Sequence, residues 1–129
     1  VPELTQANLL EWMQEPERIS FKKFQLSEKR KSFLKALSKK PDATEPYNLI
    51  GNLYFLSFDE CASKQDIVLD RAIYIAAYEM YRMASNLDRM AAAKEQFPSI
   101  EDIFDADYEE SQKIKIGCWI NIEVILKRR

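Results

Sequence analysis

The chain has 129 residues, of which 47% are hydrophobic, and a formal net charge of −2. This length suits one domain with its own core, and the apolar content excludes a disordered segment. Histidine is absent, which excludes a Ser-His-Asp or Cys-His catalytic arrangement, and the sequence carries no phosphate-binding loop or dinucleotide fingerprint. We therefore expect a non-catalytic protein without a cofactor or a metal.

The first third of the sequence predicts two helices. The first covers Leu4–Gln14 and ends before Pro16. Ser20–Phe24 is either an irregular link or a turn of helix, and a second helix over 26–39 follows. No run of about 18 apolar residues occurs, so we expect no membrane span. The chain begins at Val1, from which we expect processing or an origin within a longer protein. Localisation is open: periplasm or cell envelope if a signal was removed, otherwise cytoplasm.

Charge is distributed unevenly along the chain. Residues 17–41 contain nine Lys or Arg and two Glu, a net charge of +7, whereas residues 42–111 have a net charge of −10. Phe21 and Phe24 flank lysines in the basic segment, so one interpretation of the helix over 22–40 is an anion-binding or nucleic-acid-binding surface. Because the chain is acidic overall and both Phe residues suit a core, we favour a solvated basic face.

A helix–turn–helix junction dominates the middle of the sequence. The second helix ends on an apolar face and is stopped by Pro41; Asp42 and Glu45 have the spacing of a capping box for a third helix over 43–61. Gly51 falls on the apolar stripe of that helix, although glycine inside a helix costs about 1 kcal/mol relative to alanine. We expect a neighbouring helix to approach Gly51 closely.

This junction resembles the tetratricopeptide repeat. The resemblance lies in the end of one helix and the start of the next, at Phe33, Ala36, Leu37, Pro41, Tyr47, Ile50, Gly51 and Tyr54. It implies an all-α fold, a short right-handed stack of antiparallel helix pairs over residues 1–111. It also implies that the first helices of successive pairs line a concave face that holds a partner.

Further helices are indicated between residues 63 and 105. Ser63–Asp66 has capping-box spacing before a fourth helix over 64–84, and Ser85 and Asn86 mark its end. A fifth helix is predicted over 87–97, with Met90, Ala91, Ala93 and Phe97 facing inward. After Pro98, Ser99 has a capping signature and begins a short helix to about Asp105. Tyr81 and Asn86 again resemble a repeat, although Tyr78 and Met90 depart from the repeat pattern.

The tail over 112–129 changes to a period of two residues, which predicts a β-strand. A strand must pair, and the sequence leaves three options: with itself through a bend near Gly117, with another copy in a homo-oligomer, or with a missing part of the protein. The predicted buried face comprises Ile114, Ile116, Cys118, Ile120, Ile122 and Val124. The segments FPSIEDIF and GCWIN resemble the ending of longer bacterial repeat proteins, which implies a C-terminal portion of such a protein.

Two cysteines and one acidic cluster are candidates for other chemistry. We expect Cys61 and Cys118 to be free and buried, with a bridge between them as the alternative in an oxidising compartment. Their spacing does not suit a zinc site. The cluster of carboxylates between Asp102 and Glu110 lacks the glycine and the final glutamate of a calcium-binding loop, so we interpret it as a solvated loop.

The function implied by the resemblance is a protein–protein interaction scaffold that holds a peptide or protein partner. Asn48, Asn52, Tyr78 and Arg82 are the predicted contacts, because amide and guanidinium groups outside the core stripe can bind a peptide backbone or its carboxylate. The opposing interpretation of each residue is an ordinary solvated position. A nucleic acid is the disfavoured partner.

Overall fold

The computed structural model describes the backbone of residues 17–129 and the side chains from residue 22 onward. This part of the chain is mostly helical and ends in one two-stranded antiparallel sheet. The prediction of a helical protein is therefore confirmed at that level, and the predicted helix over Leu4–Gln14 lies outside the described residues. The elements are α1 Glu17–Lys39, α2 Glu45–Phe55, α3 Phe58–Cys61, α4 Ile67–Met83, α5 Leu87–Lys94, α6 Ile100–Asp105, β1 Lys113–Ile116 and β2 Ile122–Ile125.

Helix α1 begins earlier than predicted. Of the two alternatives for Ser20–Phe24, the helical one holds, because the helix runs unbroken from Glu17 to Lys39. No proline or glycine interrupts this segment, and Lys22 is held by Glu60 at 2.6 Å. The end of the helix before Pro41 is as predicted.

Helix α2 is shorter than predicted at both ends. Its N-cap is Thr44, which makes no side-chain capping bond, so the capping box expected from Asp42 and Glu45 is wrong. The helix stops at Phe55, and α3 forms a separate turn after Ser57. Ser57 is fully buried, and its hydroxyl donates to the Leu53 carbonyl while accepting from the Trp119 indole. This contact favours a break where the sequence alone suggests a continuous helix.

Helix α4 is the centre of the core. Over half of its residues are buried, and it packs against α2, α5 and the sheet. It approaches α2 closely at Gly51, where an added Cβ would lie 2.7 Å from Tyr81 Cε1. The close approach predicted at Gly51 is confirmed, and the neighbour is Tyr81.

The start of α4 is fixed by two aspartates. Asp66 is the N-cap and accepts from the Leu69 amide, so the helix starts after Asp66 rather than at Lys64. The predicted box, with Ser63 as the cap, is wrong. Asp70 is buried and instead accepts from the backbone amides of Ser63 and Lys64, both at 2.8 Å.

The two following helices match the sequence in position. Asn86 caps α5, which ends at Lys94, three residues before the predicted end. Ala93 and Phe97 are buried as expected and Met90 is half-buried, but Ala91 is exposed, so its predicted inward position is wrong. The box at Ser99 is confirmed, because the Ser99 hydroxyl and the Asp102 carboxylate each accept from the other residue's backbone amide.

The tail pairs with itself as a hairpin. β1 and β2 are antiparallel, with Ile114 opposite Val124 and Ile116 opposite Ile122, and the bend lies after Gly117. The predicted inward face is confirmed for Ile114, Ile116, Ile120 and Val124, while Ile122 is partly buried. It is wrong for Cys118, which is exposed. The bend places Cys118 at a φ of 60° and breaks the alternation, so Trp119 is buried beside Ile120.

A disulfide and an arginine contact fasten the hairpin to the helices, in addition to the hydrogen bond between Trp119 and Ser57. Cys61 and Cys118 form a disulfide, so the expectation of two free, buried cysteines is wrong and the bridged alternative holds. Arg30 of α1 donates to the carbonyls of Ile120 at 2.6 Å and Trp119 at 3.2 Å, and its guanidinium lies 4.9 Å from the Trp119 ring. Among the helices over 17–129, none has the length and apolarity to cross a membrane.

Candidate functional site

A cluster of amide side chains and one arginine lies where α2 meets α4 and α5. We call Asn48, Asn52, Asn86 and Arg89 the amide–arginine cluster. Asn48 and Asn52 are one helical turn apart on α2, and Asn86 and Arg89 belong to the first turn of α5. The Tyr81 hydroxyl from α4 lies among them. The close packing at Gly51 brings these elements together.

In one half of the cluster, the N-cap of α5 determines which group donates and which accepts. The Arg89 amide can only donate, and it donates to Asn86 Oδ1 at 3.2 Å. The other end of the Asn86 side chain is then a donor, and Nδ2 donates to Asn48 Oδ1 at 3.0 Å. The Nδ2 group of Asn48 is left as a donor, with no hydrogen-bond partner among the described residues.

The other half has the same polarity and starts at the Arg89 side chain. A guanidinium has no acceptor, so Arg89 Nη2 donates to the Tyr81 hydroxyl at 3.4 Å. The hydroxyl proton therefore goes to Asn52 Oδ1, at 2.6 Å. Asn52 Nδ2 is left as a second donor without a partner in the described part of the chain. In both networks the side-chain oxygen of an α2 asparagine, Asn48 or Asn52, accepts a hydrogen bond, and its Nδ2 group is left as a donor.

Aromatic rings position the arginine. The guanidinium carbon of Arg89 lies 4.5 Å from the centre of the Phe55 ring and 5.3 Å from that of Tyr81. Cation–π contacts of this kind hold an arginine while its N–H groups remain available. Burial is the main reason that the pKa of Tyr81 is raised, and the Arg89 contact acts in the opposite direction. Tyr81 therefore stays a neutral hydrogen-bond donor at physiological pH.

The surface around the cluster is an open depression of about 500 Å³. Asn48, Asn86 and the exposed Leu87 line it, together with Asp88. Asp88 is a carboxylate, so it disfavours an anionic ligand. The arrangement instead suits a neutral acceptor, such as a backbone carbonyl, next to an apolar side chain.

The four residues predicted from the sequence do not form one contact network. Asn48 and Asn52 belong to the cluster. Tyr78 packs edge-on against Phe97, with ring centres 5.4 Å apart, and Arg82 pairs with Glu79 at 2.9 Å. Sequence reasoning missed Arg89 and Asn86 as site residues. Asn86 has a sequence signal as a helix cap, but its meeting with Asn48 depends on how α5 packs against α2.

The basic helix presents a separate candidate surface. Lys31, Lys35 and Lys39 are exposed and spaced four residues apart, so they share one face of α1. Arg30 points the other way and binds the hairpin carbonyls. The residues between 22 and 40 are thus divided between a structural face and a solvated face. Lys31 is also paired with Glu28 at 3.1 Å.

The carboxylates between Asp102 and Glu110 do not converge on a metal site. Among the described residues, no group of three or more His, Cys, Asp or Glu side chains has an arrangement that could hold a metal ion. Asp102 serves the Ser99 capping box, and its backbone hydrogen bond from Ser99 lowers its pKa. Glu110 pairs with Arg128 at 3.2 Å.

Comparisons with known protein families, with curated proteins and with solved structures find no match to this chain. The resemblance to the tetratricopeptide repeat therefore stays a prediction.

Proposed function

We propose that the protein is a non-catalytic binding module that holds an extended peptide segment of a partner protein on the amide–arginine cluster. The observation that carries this proposal is the polarity of the cluster. Asn48 and Asn52 each keep an amide donor after their side-chain oxygens have accepted from Asn86 and Tyr81, and the Arg89 guanidinium that donates to the same Tyr81 hydroxyl carries donors only. A peptide in extended conformation offers carbonyl acceptors at regular intervals along its backbone.

The proposal also includes the architecture that the sequence implies. In a short right-handed stack of helix pairs, α2 belongs to the first helices that face the partner. The position of Asn48 and Asn52 on the exposed side of α2 is consistent with such a face. Leu87 supplies an apolar contact next to the donors, which suits a peptide with a hydrophobic side chain beside the bound carbonyl.

Replacement of amides by carboxylates tests the proposal. Asn52→Asp and Asn48→Asp keep an acceptor for Tyr81 and Asn86 but remove the outward donor. Peptides selected from a random displayed library on the parent protein serve as the probe, and affinity is measured by fluorescence anisotropy. We expect a loss on the order of tenfold for each variant, as for one hydrogen bond left unmade.

Arg82→Ala is the matched control for these variants. Arg82 is an exposed polar residue of α4 that donates to Glu79, outside the cluster. We expect this variant to bind the selected peptides as the parent does. The proposed function would be overturned if Asn52→Asp and Asn48→Asp bound the selected peptides as tightly as the parent does, or if no peptide could be selected.

The alternative function is an anion-binding or nucleic-acid-binding module on α1. The exposed row of Lys31, Lys35 and Lys39 supports it. Binding to phosphates weakens steeply as salt rises, because counterions are released on binding. A fluorescent single-stranded oligonucleotide that binds the parent, loses affinity with salt and is not bound by Lys31→Glu/Lys35→Glu would favour this alternative over the peptide site.

A further inference from the structure

The outer edge of β2 is an unpaired strand edge. Leu126 N donates to Gln112 O at 2.8 Å, so the backbone groups of residue 126 point toward β1. Backbone groups alternate in direction along a strand, so those of Val124 and Ile122 also point toward β1. Those of Glu123 and Ile125 point the other way. No residue of the described chain hydrogen-bonds to them.

An apolar groove lies along this edge. It has a volume of about 380 Å³ and separates β2 from the C-terminal half of α4. Ala76 and Met80 form the helix side, and Ile122 and Val124 belong to the strand side. The backbone groups of Glu123 and Ile125 have no hydrogen-bond partner on α4, although Glu79 of α4 also lines the groove and lies 3.7 Å from Lys127. An unpaired edge beside an apolar groove is a template for one more strand.

The side chains of β2 identify the strand that fits. Glu123 and Ile125 lie on the outer face of β2, and Lys127 follows two positions after Ile125, so opposite charges flank Ile125; the Lys127 ammonium also lies 3.7 Å from Glu79 of α4. If two copies of β2 run antiparallel with Ile125 opposite Ile125, each Glu123 lies opposite a Lys127 of the other copy. Oppositely charged pairs placed directly across two strands are stabilising. This register also satisfies the outward backbone groups of Ile125 in both copies.

The edge of β1 lacks this complementarity. Its exposed side chains include Lys113 and Lys115, and an antiparallel pair of β1 edges would place lysines together. Lysine on an edge strand is a common protection against pairing. The two edges of the hairpin thus differ: two copies of the β1 edge would repel each other, whereas two copies of the β2 edge are complementary in charge.

We propose that the protein forms a two-fold symmetric dimer in which two β2 edges pair antiparallel, centred on Ile125. The two hairpins become one four-stranded sheet, β1-β2-β2-β1, and the grooves beside α4 merge on one side of it. A second copy is the occupant because the strand is complementary to itself in charge and in hydrogen-bond direction. This inference concerns a surface distinct from the amide–arginine cluster and does not depend on the proposed function.

Ile125→Pro tests the pairing with little effect on the monomer. The Ile125 amide points away from β1, so proline removes no hydrogen bond within the hairpin. It removes both of the hydrogen bonds that the two Ile125 residues would exchange. Sedimentation equilibrium of the parent should show a dimer. Ile125→Pro should weaken it by about tenfold to a hundredfold, the loss expected for two hydrogen bonds.

Ile125→Ala is the matched control, because it removes the same side chain and keeps the amide. It should dissociate less readily than Ile125→Pro at the same concentration. Circular dichroism and a thermal melt of both variants establish that the fold is kept. A parent protein that is monomeric up to its solubility limit, or a dimer unaffected by Ile125→Pro, overturns the proposal.

Charge exchange tests the register. Glu123→Lys alone and Lys127→Glu alone each place like charges together in a homodimer, and each should be more monomeric than the parent. A mixture of the two variants forms a heterodimer in which both pairs are again opposite in charge. Dimer recovery in the mixture supports the Ile125-centred register, and no recovery rejects it. Lys113→Glu, on the far edge of the same hairpin, should leave the dimer unchanged.

Discussion

Gly51 is the residue at which helix propensity and packing oppose each other. Alanine would gain about 1 kcal/mol of helix propensity at this position. Its Cβ would meet Tyr81 Cε1 at 2.7 Å, and the Tyr81 ring is fully buried, with its hydroxyl held by Asn52 and Arg89. The ring therefore has little room to move, and packing determines the outcome.

We expect Gly51→Ala to lower the free energy of unfolding by about 1 kcal/mol or more, and Gly51→Leu by about 3 kcal/mol or more. Urea unfolding followed by circular dichroism measures both. Gly117→Ala is the control, because nothing lies within 4 Å of a Cβ at Gly117. That variant should stay within about 0.5 kcal/mol of the parent. A Gly51→Ala protein as stable as the parent would show that Tyr81 can shift.

Tyr108 makes a pH-dependent contribution to the free energy of unfolding. Its hydroxyl donates to Asp66 Oδ2 at 2.6 Å, and this bond, followed by burial, raises the pKa of Tyr108 to about 12. The folded state therefore favours the neutral phenol. This stabilisation is fully present below the unfolded pKa of about 10 and is lost as pH rises through the folded pKa of about 12.

Tyr108→Phe removes that bond and should cost about 1 kcal/mol at pH 7. The difference in unfolding free energy between parent and variant should shrink between pH 10 and 12, because the parent loses the bond there. Urea unfolding at a series of pH values measures the difference. A gap that stays constant through pH 12 would contradict the role of the Asp66 hydrogen bond.

At the scale of elements, the sequence predicts boundaries best where a local signal determines them. Ser99 and Asp102 form the predicted capping box, and α1 stops before Pro41 as expected. Boundaries set by distant contacts are missed. The break after Phe55 accompanies the burial of Ser57 under Trp119, a residue 62 positions away. Periodicity likewise indicates the strands of the tail but not the bend that turns Trp119 inward.

The disulfide joins α3 to the bend of the hairpin, two segments that lie far apart in the sequence. It closes a loop between positions 57 residues apart. In the chain-entropy model such a crosslink stabilises the folded state by about 4 kcal/mol. Disulfides of this kind persist in oxidising compartments.

Reduction should therefore lower the midpoint of urea unfolding, and the double variant Cys61→Ala/Cys118→Ala should do the same. The double variant serves as the control, because its midpoint should not respond to reductant. Thiol titration of the unfolded, unreduced protein should find no free thiol. Two reactive thiols per chain would contradict the bridge and restore the sequence-based expectation of free cysteines.

At the scale of the whole molecule, the candidate site depends on how distant segments meet. Asn48 and Asn52 are predictable from the exposed side of α2, whereas Arg89 meets the Tyr81 hydroxyl and the Phe55 ring only because α5 packs against α4. Tyr78 and Arg82 share a helix with Tyr81 but contact other residues. Of the four residues predicted from helical spacing, Asn48 and Asn52 therefore belong to the cluster, and Tyr78 and Arg82 do not.

The long helices differ in how much of their surface is buried, so they should differ in how readily they open. Helix α4 is buried along most of its length, whereas α1 has Leu37 as its buried hydrophobic residue among the described side chains. Arg30 fastens α1 to the carbonyls of Trp119 and Ile120. Helix α1 should therefore open more readily than α4, and Arg30 should limit that opening.

Hydrogen exchange measured by mass spectrometry tests this order. In the parent, amides of α4 should exchange slowest and those of α1 fastest among the long helices. Arg30→Ala should accelerate exchange in α1 and in residues 117–121 together, because both ends of the contact are released, and should leave α4 unchanged. Lys31→Ala is the control, since Lys31 is exposed beside Arg30 and pairs with Glu28 within α1. Faster exchange across α4 in Arg30→Ala would mean that α1 and the core unfold as one unit.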